Sequence, residues 1–245
     1  MRGIWEYRPV FLRDNGRMNI ILFLAGTFLG SFLFCVSGDR DPFGRSRCDH
    51  CHHVLGAIDL VPVFSFLFLK GCCRHCGEKI SFWYPFSEIL CGIFCVLVWI
   101  RYGYSLRCLE YLILISILLL ISFRDLKTCT VPDSCILAGI LDHVLFSLIR
   151  KEEILPDLRN GAIISLSLFL LSILLSHICH KETIGGGDIK LIFLLSMYGS
   201  LETGIQALLL GSVFGLIAIL ISGKQRIPFA PCICLGYLPV FLLGG

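Results

Sequence analysis

Two aspartates stand in settings that invite a chemical reading. Asp125 lies in Phe-Arg-Asp125-Leu-Lys-Thr-Cys-Thr-Val-Pro132-Asp133, where an apolar stretch ends. Asp188 lies in Gly185-Gly186-Gly187-Asp188-Ile-Lys190-Leu191, where another begins. Two carboxylates a few Å apart cannot both ionise, so such a pair shares one proton. One member then serves as general base toward a water, and the other, protonated, polarises the carbonyl under attack. Consecutive glycines admit backbone conformations closed to other residues and let another chain approach the main chain. Gly185, Gly186 and Gly187 are therefore expected to support a substrate cavity, together with Lys190, Asp133 and Glu88. Simpler roles stay open for the acids. Asp125 could be a helix-end charge in a basic loop, and Asp188 an N-cap or first-turn acid favoured by the helix dipole, with Lys190 snorkelling. Asp133, after Pro132, reads as an N-cap. Asp142 and His143 either pair with each other or line the cavity. Glu88 is an acid within an apolar run and is expected to face the interior.

Cysteine makes a second constellation. Cys48-Asp-His-Cys51 is followed, after 21 residues, by Cys73-Arg-His-Cys76. Two such pairs can gather four thiolates around a tetrahedral zinc ion. With every ligand position filled by sulfur, the site reads as structural. Cys72 competes with Cys73, but only Cys73 keeps the two-residue spacing to Cys76. His50, His52, His53 and His75 read as solvated neighbours. Two disulfides or free thiols are the alternative. A loop this short builds little core, so a metal would be its main source of folding energy.

The composition says what elements must hold these residues. Of 245 residues, 56% are hydrophobic and 16% charged, with a mean hydropathy of +0.83. A soluble domain carries about 25% charged residues. The deficit excludes a disordered tail, a secreted disulfide scaffold and a solvated enzyme, and makes a lipid bilayer the solvent. The dispersed net charge of +3 argues against nucleic acid as a partner. Uncharged apolar runs occur at 18–38, 160–180, 203–223 and 227–245. Runs at 83–100, 106–123, 134–149 and 184–201 are broken by one or two ionisable residues. Each of the eight is near the roughly 20 residues a helix needs to cross a bilayer. Strand alternation is absent, and an open sheet could not satisfy its backbone in lipid.

The expected fold is therefore all-α and polytopic, with about eight transmembrane helices. It has a basic leader over 1–17, an uncleaved first helix over 18–38, a Cys-rich loop module over 39–82 and a seven-helix membrane domain over 83–245. Two spans separate Asp125 from Asp188, which places both on one membrane face, around a wet pocket at the mouth of the bundle. The distribution of Lys and Arg favours a cytoplasmic module only slightly. A reducing compartment, which keeps thiols usable as ligands, favours it more strongly.

Together these motifs resemble those of the type IV prepilin peptidases, bifunctional leader peptidases and N-methyltransferases of the GxGD aspartyl protease group. Gly26-Thr-Phe-Leu-Gly30-Ser31-Phe32-Leu33 is similar to the family's first-helix signature. Cys48 to Cys76, with Asp59-Leu-Val-Pro62 inside and Ile80-Ser-Phe-Trp-Tyr84-Pro85 and Glu88 after, is similar to its paired-cysteine loop. Asp125 to Asp133 and Gly185 to Leu191 look like its two catalytic motifs, and Pro228-Phe-Ala-Pro231 like the start of its last helix. The resemblance runs nearly end to end. It implies catalytic Asp125 and Asp188, and prepilin or pseudopilin substrates whose short basic leader is cut just before an apolar helix. It also implies the bacterial cytoplasmic membrane, with the active site near the cytoplasmic face, and methylation of the new N-terminus from S-adenosylmethionine. The chain departs from the family pattern in carrying Phe34 where Asn is usual, and in lacking the frequent Pro after Cys48. Three other classes compete, one of them a non-catalytic assembly subunit of a secretion machine, which would leave the leader of a co-expressed prepilin uncut. A presenilin-like protease would have Tyr before its first aspartate and a Pro-Ala-Leu element near its end; this chain has Arg124 and no such element. A transporter would use Asp125, Asp188, Asp142 and His143 as a proton or cation relay, and its ion flux would track those residues.

Overall fold

The computed structural model describes residues 15–38, 44–180, 184–223 and 227–243, so the expected leader up to residue 14 lies outside the described residues. The described elements are α1 (Asn15–Val36), a 3-10 turn (Ala57–Leu60), α2 (Phe64–Phe68), α3 (Trp83–Tyr102), α4 (Leu106–Thr128), α5 (Asp133–Arg150), α6 (Leu155–Cys179), α7 (Gly186–Tyr198), α8 (Leu201–Ser222) and α9 (Ala230–Leu243). Among the described residues no strand forms, and the protein is an all-α polytopic membrane protein. The eight apolar runs correspond to α1 and α3 through α9. Five of these helices, α1, α3, α4, α6 and α8, are long and apolar enough to cross a membrane. The other three fall short for different reasons: α5 carries Asp133, Asp142 and Arg150, while α7 has 13 residues and α9 has 14. The chain divides into two compact units, Met1–Leu112 and Ile113–Gly245.

The first unit is built on α1 packed against α3. Lipid tails are as apolar as leucine, so helices in a bilayer associate where small residues let their backbones approach. Gly26 and Gly30, four residues apart on α1, provide that approach. A Cβ on Gly26 would stand 2.8 Å from Gly92 Cα, and one on Gly30 would stand 2.7 Å from Ser87 O. The same closeness brings the Ser31 side chain into hydrogen-bonding contact with Glu88. Glu88 is buried, as an acid within a span should be, and its Oε2 accepts the Val63 N–H at 2.7 Å. At the membrane end of α3, Tyr84 packs edge-on against Phe34 and donates its hydroxyl to Asp49 Oδ2 at 3.2 Å. The loop module is thus tied to both helices.

The second unit is arranged around α7. Leu191, Ile192, Leu194 and Leu195 are wholly buried, because α5, α6, α8 and α9 all pack on this helix. Three neighbours meet it with glycine: Gly139 of α5 against Leu194, Gly161 of α6 against Phe193, and Gly204 of α8 against Ser196. Thirteen residues make a helix about 20 Å long, short of the roughly 30 Å hydrocarbon core. The α8–α9 seam repeats the small-residue device, with Gly211 against Ile233 and Gly215 against Phe229. At the C-terminal end of α7, Tyr198 OH lies 2.7 Å from Asp142 Oδ2. His143 Nε2 lies 3.2 Å from Asp157 Oδ2, joining α5 to α6.

Candidate active site

Both aspartates sit at helix ends within the second unit. The N–H of Cys129, which adopts a left-handed φ of 51°, bonds to Asp125 O at 2.8 Å and closes α4, leaving Asp125 in its last turn. Gly185 O accepts the Asp188 N–H at 3.1 Å and the Ile189 N–H at 3.3 Å, opening α7 with Asp188 in its first turn. The two carboxylates line one cavity of about 360 Å³, and their charges are near enough to interact. Asp125 Oδ2 also accepts the Ala230 N–H at 2.9 Å. That amide is the first of α9, one of the donors that a helix start leaves without an intrahelical partner. The Pro228–Pro231 motif therefore supplies a donor to Asp125, a task its residue types do not announce.

Lys190, Asp133 and the three glycines line the same cavity. None of those glycines has a positive φ. They serve close approach instead: a Cβ on Gly187 would stand 2.9 Å from Val131 Cβ, and one on Gly185 would stand 2.9 Å from Asp188 Oδ2. A Cβ on Gly186 would meet nothing, so this position faces open space. Asp133 is not the N-cap that its position after Pro132 suggests. Pro132 already has the extended backbone of an N-cap, with φ −69° and ψ 128°, and Asp133 is the first helical residue. Its Oδ1 instead accepts from Lys190 Nζ at 2.6 Å. Asp142, His143 and Glu88 are not among the lining residues; the first two join helices of this unit, and Glu88 belongs to the first. Cys129, Thr130, Val131, Ile227 and Phe229 complete the lining. Cys129, Thr130 and Val131 lie between Asp125 and Pro132, and Phe229 lies within the Pro228–Pro231 motif; Ile227 had no such signal.

In the first unit the paired cysteines form a two-fold pattern. Cys48 N–H bonds to His53 O at 3.0 Å and Cys73 N–H to Glu78 O at 2.8 Å. Antiparallel bridges join Arg47 to Val54 and Cys72 to Lys79, at the same offsets from Cys48 and Cys73. His52 and Gly77, each just after the second cysteine of its pair, both turn left-handed, with φ of 56° and 71°. Cys72 is thus the counterpart of Arg47, a bridge residue, and its thiol points to Lys70 O. The four remaining Sγ atoms lie within 4.8 Å of one another, Cys48 and Cys76 at 3.9 Å. Four sulfurs about 2.3 Å from a tetrahedral zinc stand about 3.8 Å apart, so the cluster fits that ion. Its acidities are split. The backbone amides of Cys51 and His50 draw the Cys48 thiol down to about 6. The Glu78 amide pulls Cys76 the same way, but desolvation and the thiols of Cys73, Cys51 and Cys48 outweigh it and push Cys76 up to about 12. Thiols this close cannot all ionise unless a cation joins them.

Residues 24–102 match the family model described as the Bacterial Peptidase A24 N-terminal domain, and residues 112–220 match that of the Type IV leader peptidase family. A prepilin leader peptidase/N-methyltransferase of Bacillus subtilis (strain 168) is 32% identical, over 91% of this chain and 94% of its own length. A protein of the same name from Pseudomonas putida is 33% identical, over 80% of this chain and 71% of its own. The type 4 prepilin-like proteins leader peptide-processing enzyme of Escherichia coli O78:H11 is 30% identical, over 98% of this chain and 87% of its own. No solved structure matches the chain at comparable significance. The interval between the two family segments, 102 to 112, ends at the division between the compact units.

Proposed function

The chain belongs to the type IV leader peptidase family, and on that premise we propose that Asp125 and Asp188 together hydrolyse the bond between the short basic leader and the apolar helix of a type IV prepilin or pseudopilin. The observation that carries this reading is the meeting of two carboxylates, each from a helix end, in one cavity of about 360 Å³. The Ala230 amide holds Asp125 as an acceptor, which suits it to the base's role and leaves the shared proton on Asp188. Asp125 takes a proton from water as the water oxygen attacks the carbonyl carbon, and Asp188 gives its proton to the carbonyl oxygen. Collapse of the tetrahedral species returns that proton to Asp188 and breaks the C–N bond, with the leaving amine protonated by Asp125. The open side at Gly186 admits the substrate backbone, and the exposed Asp133, paired with Lys190 at the cavity edge, meets the basic leader.

In this reading the protein is a multi-pass protein of the bacterial inner membrane, with its active site near the cytoplasmic face. Cys48, Cys51, Cys73 and Cys76 hold a structural zinc that supplies folding energy to the loop module and takes no part in hydrolysis. Methylation of the new N-terminus, with S-adenosylmethionine as co-substrate, completes the activity that the relatives' names describe. Co-expression with a prepilin tests the mechanism. Asp125→Asn and Asp188→Asn should each lower leader removal by about 10²–10⁴-fold, the usual share of a positioned acid or base. Cleavage that survives both changes would sink it. Mass spectrometry of the mature substrate decides methylation, which an unmodified N-terminus in the presence of S-adenosylmethionine would refute.

A further inference from the structure

The loop module exposes apolar surface where no span accounts for it. Leu67 is 65% exposed and Phe68 83% exposed, and Phe64 and Phe82 are exposed beside them in the chain. Phe64, Leu67 and Phe68 fall on one face of α2, at the i, i+3, i+4 spacing of an apolar stripe. Phe66 turns the other way, against Gly71, with its ring 6.5 Å from that of Phe82. The rings continue without a break into α3: Phe82 to Phe86 at 6.3 Å, and Trp83 to Phe86 at 5.7 Å. The inner face of α2, through Phe66, is therefore joined to the start of a membrane span, and its outer face stays exposed beside it.

Two hydrogen bonds tie it to the spans. Val63 N–H donates to Glu88 Oε2, and Glu88 in turn meets Ser31. Glu88 lies five residues inside α3, about 7.5 Å along the axis from Trp83. Ser31 lies five residues before the end of α1. The turn that leads into α2 is thus fastened to side chains that both spans contribute. Val63 makes that turn with φ 62° and ψ −51°, and Phe64 N–H bonds to Pro62 O at 2.6 Å. This is a γ-turn of the rarer hand, strained for a β-branched residue, and the Glu88 bond holds it. Lys70, exposed, ends the segment, and only Gly71 and Cys72 separate it from the second cysteine pair.

We propose that α2 is an interfacial foot: Phe64, Leu67, Phe68 and Phe82 enter the headgroup–acyl boundary of the leaflet where α1 ends and α3 begins, with Lys70 at the phosphates. The occupant is the lipid bilayer. Its chemistry matches each part, an apolar stripe for the acyl edge, a basic residue for the headgroups and an aromatic pair, Phe82 and Trp83, at the interface. The foot holds the second cysteine pair against the membrane surface.

The full-length protein in nanodiscs of phosphatidylethanolamine and phosphatidylglycerol provides the test. A benzophenone analogue of phenylalanine in place of Phe68 should yield lipid adducts on irradiation, and the same probe in place of Glu78 should yield none. Adducts to a second copy of the chain, or no adducts at position 68, would overturn the proposal. Phe68→Trp keeps an aromatic ring there and gives an independent readout. Over the native background, bromines near the headgroups should quench its added fluorescence about twofold more than bromines near the chain ends. Equal or absent quenching would count against an interfacial position.

Discussion

Asp125 is anchored to the Ala230 amide, whereas Asp188 folds back over Gly185, and substitutions near the two should differ accordingly. A methyl group at Gly185 would press on the Asp188 carboxylate itself. Gly185→Ala is expected to lower kcat by about 10²-fold, as a misplacement of some 1 Å does at a reacting centre. Gly186→Ala meets no neighbour, so it should leave the melting temperature unchanged and raise KM if the substrate backbone passes there. A leader-peptide assay with both variants separates the two effects. Cys129 offers a chemical probe of the same cavity. It lines the site and is exposed, as are Cys51 and Cys76 of the four-cysteine cluster. In protein loaded with zinc to cover those two, a maleimide should inactivate the enzyme through Cys129, and Cys129→Ser should resist it. Inactivation of the serine variant at an equal rate would place the reactive thiol elsewhere.

Among the elements, α7 decides where Asp188 stands. It is a short helix kept in place by glycines on α5, α6 and α8, so the tolerance of those positions is a measure of how firmly the acid is held. A Cβ at Gly204 would collide with the Ser196 side chain and crowd Ile164. Gly204→Ala should therefore destabilise the protein by about 1–3 kcal/mol, the usual range for overpacking. Thermal denaturation in detergent would show it, with peptidase activity falling in parallel because α7 carries Asp188. An unchanged melting temperature would mean that α8 can slide away from α7 without loss.

In the whole molecule, helix packing holds both compact units, α1 against α3 in the first and the helices around α7 in the second. The loop of the first gathers four sulfurs that could hold a metal ion. Metal analysis of the purified protein should find about one zinc per chain, absent after Cys48→Ser with Cys51→Ser. In that variant, limited proteolysis should open cuts within 44–82 and spare 113–243. Cutting that spreads through both regions would show that the zinc loop supports more than its own unit.

Local features were readable in the residues alone. A helix that meets lipid needs about 20 apolar residues in a row, so eight runs announced eight helices, of which five are long and apolar enough to cross a membrane. Two-residue spacing likewise paired the cysteines, and the glycine tract marked Asp188. Three relations could not be read this way. Asp133 pairs with Lys190 across 57 positions, and Asp125 takes its hydrogen bond from Ala230 across 105. Glu88, grouped with the cavity by its charge, instead secures Val63 and the turn into α2. Each depends on how segments far apart in the chain come together, and between helices that approach is set partly where a glycine on one meets its neighbour, as Gly139 of α5 meets Leu194 of α7. Residue type marks which positions are small; only the folded packing shows which of them face each other.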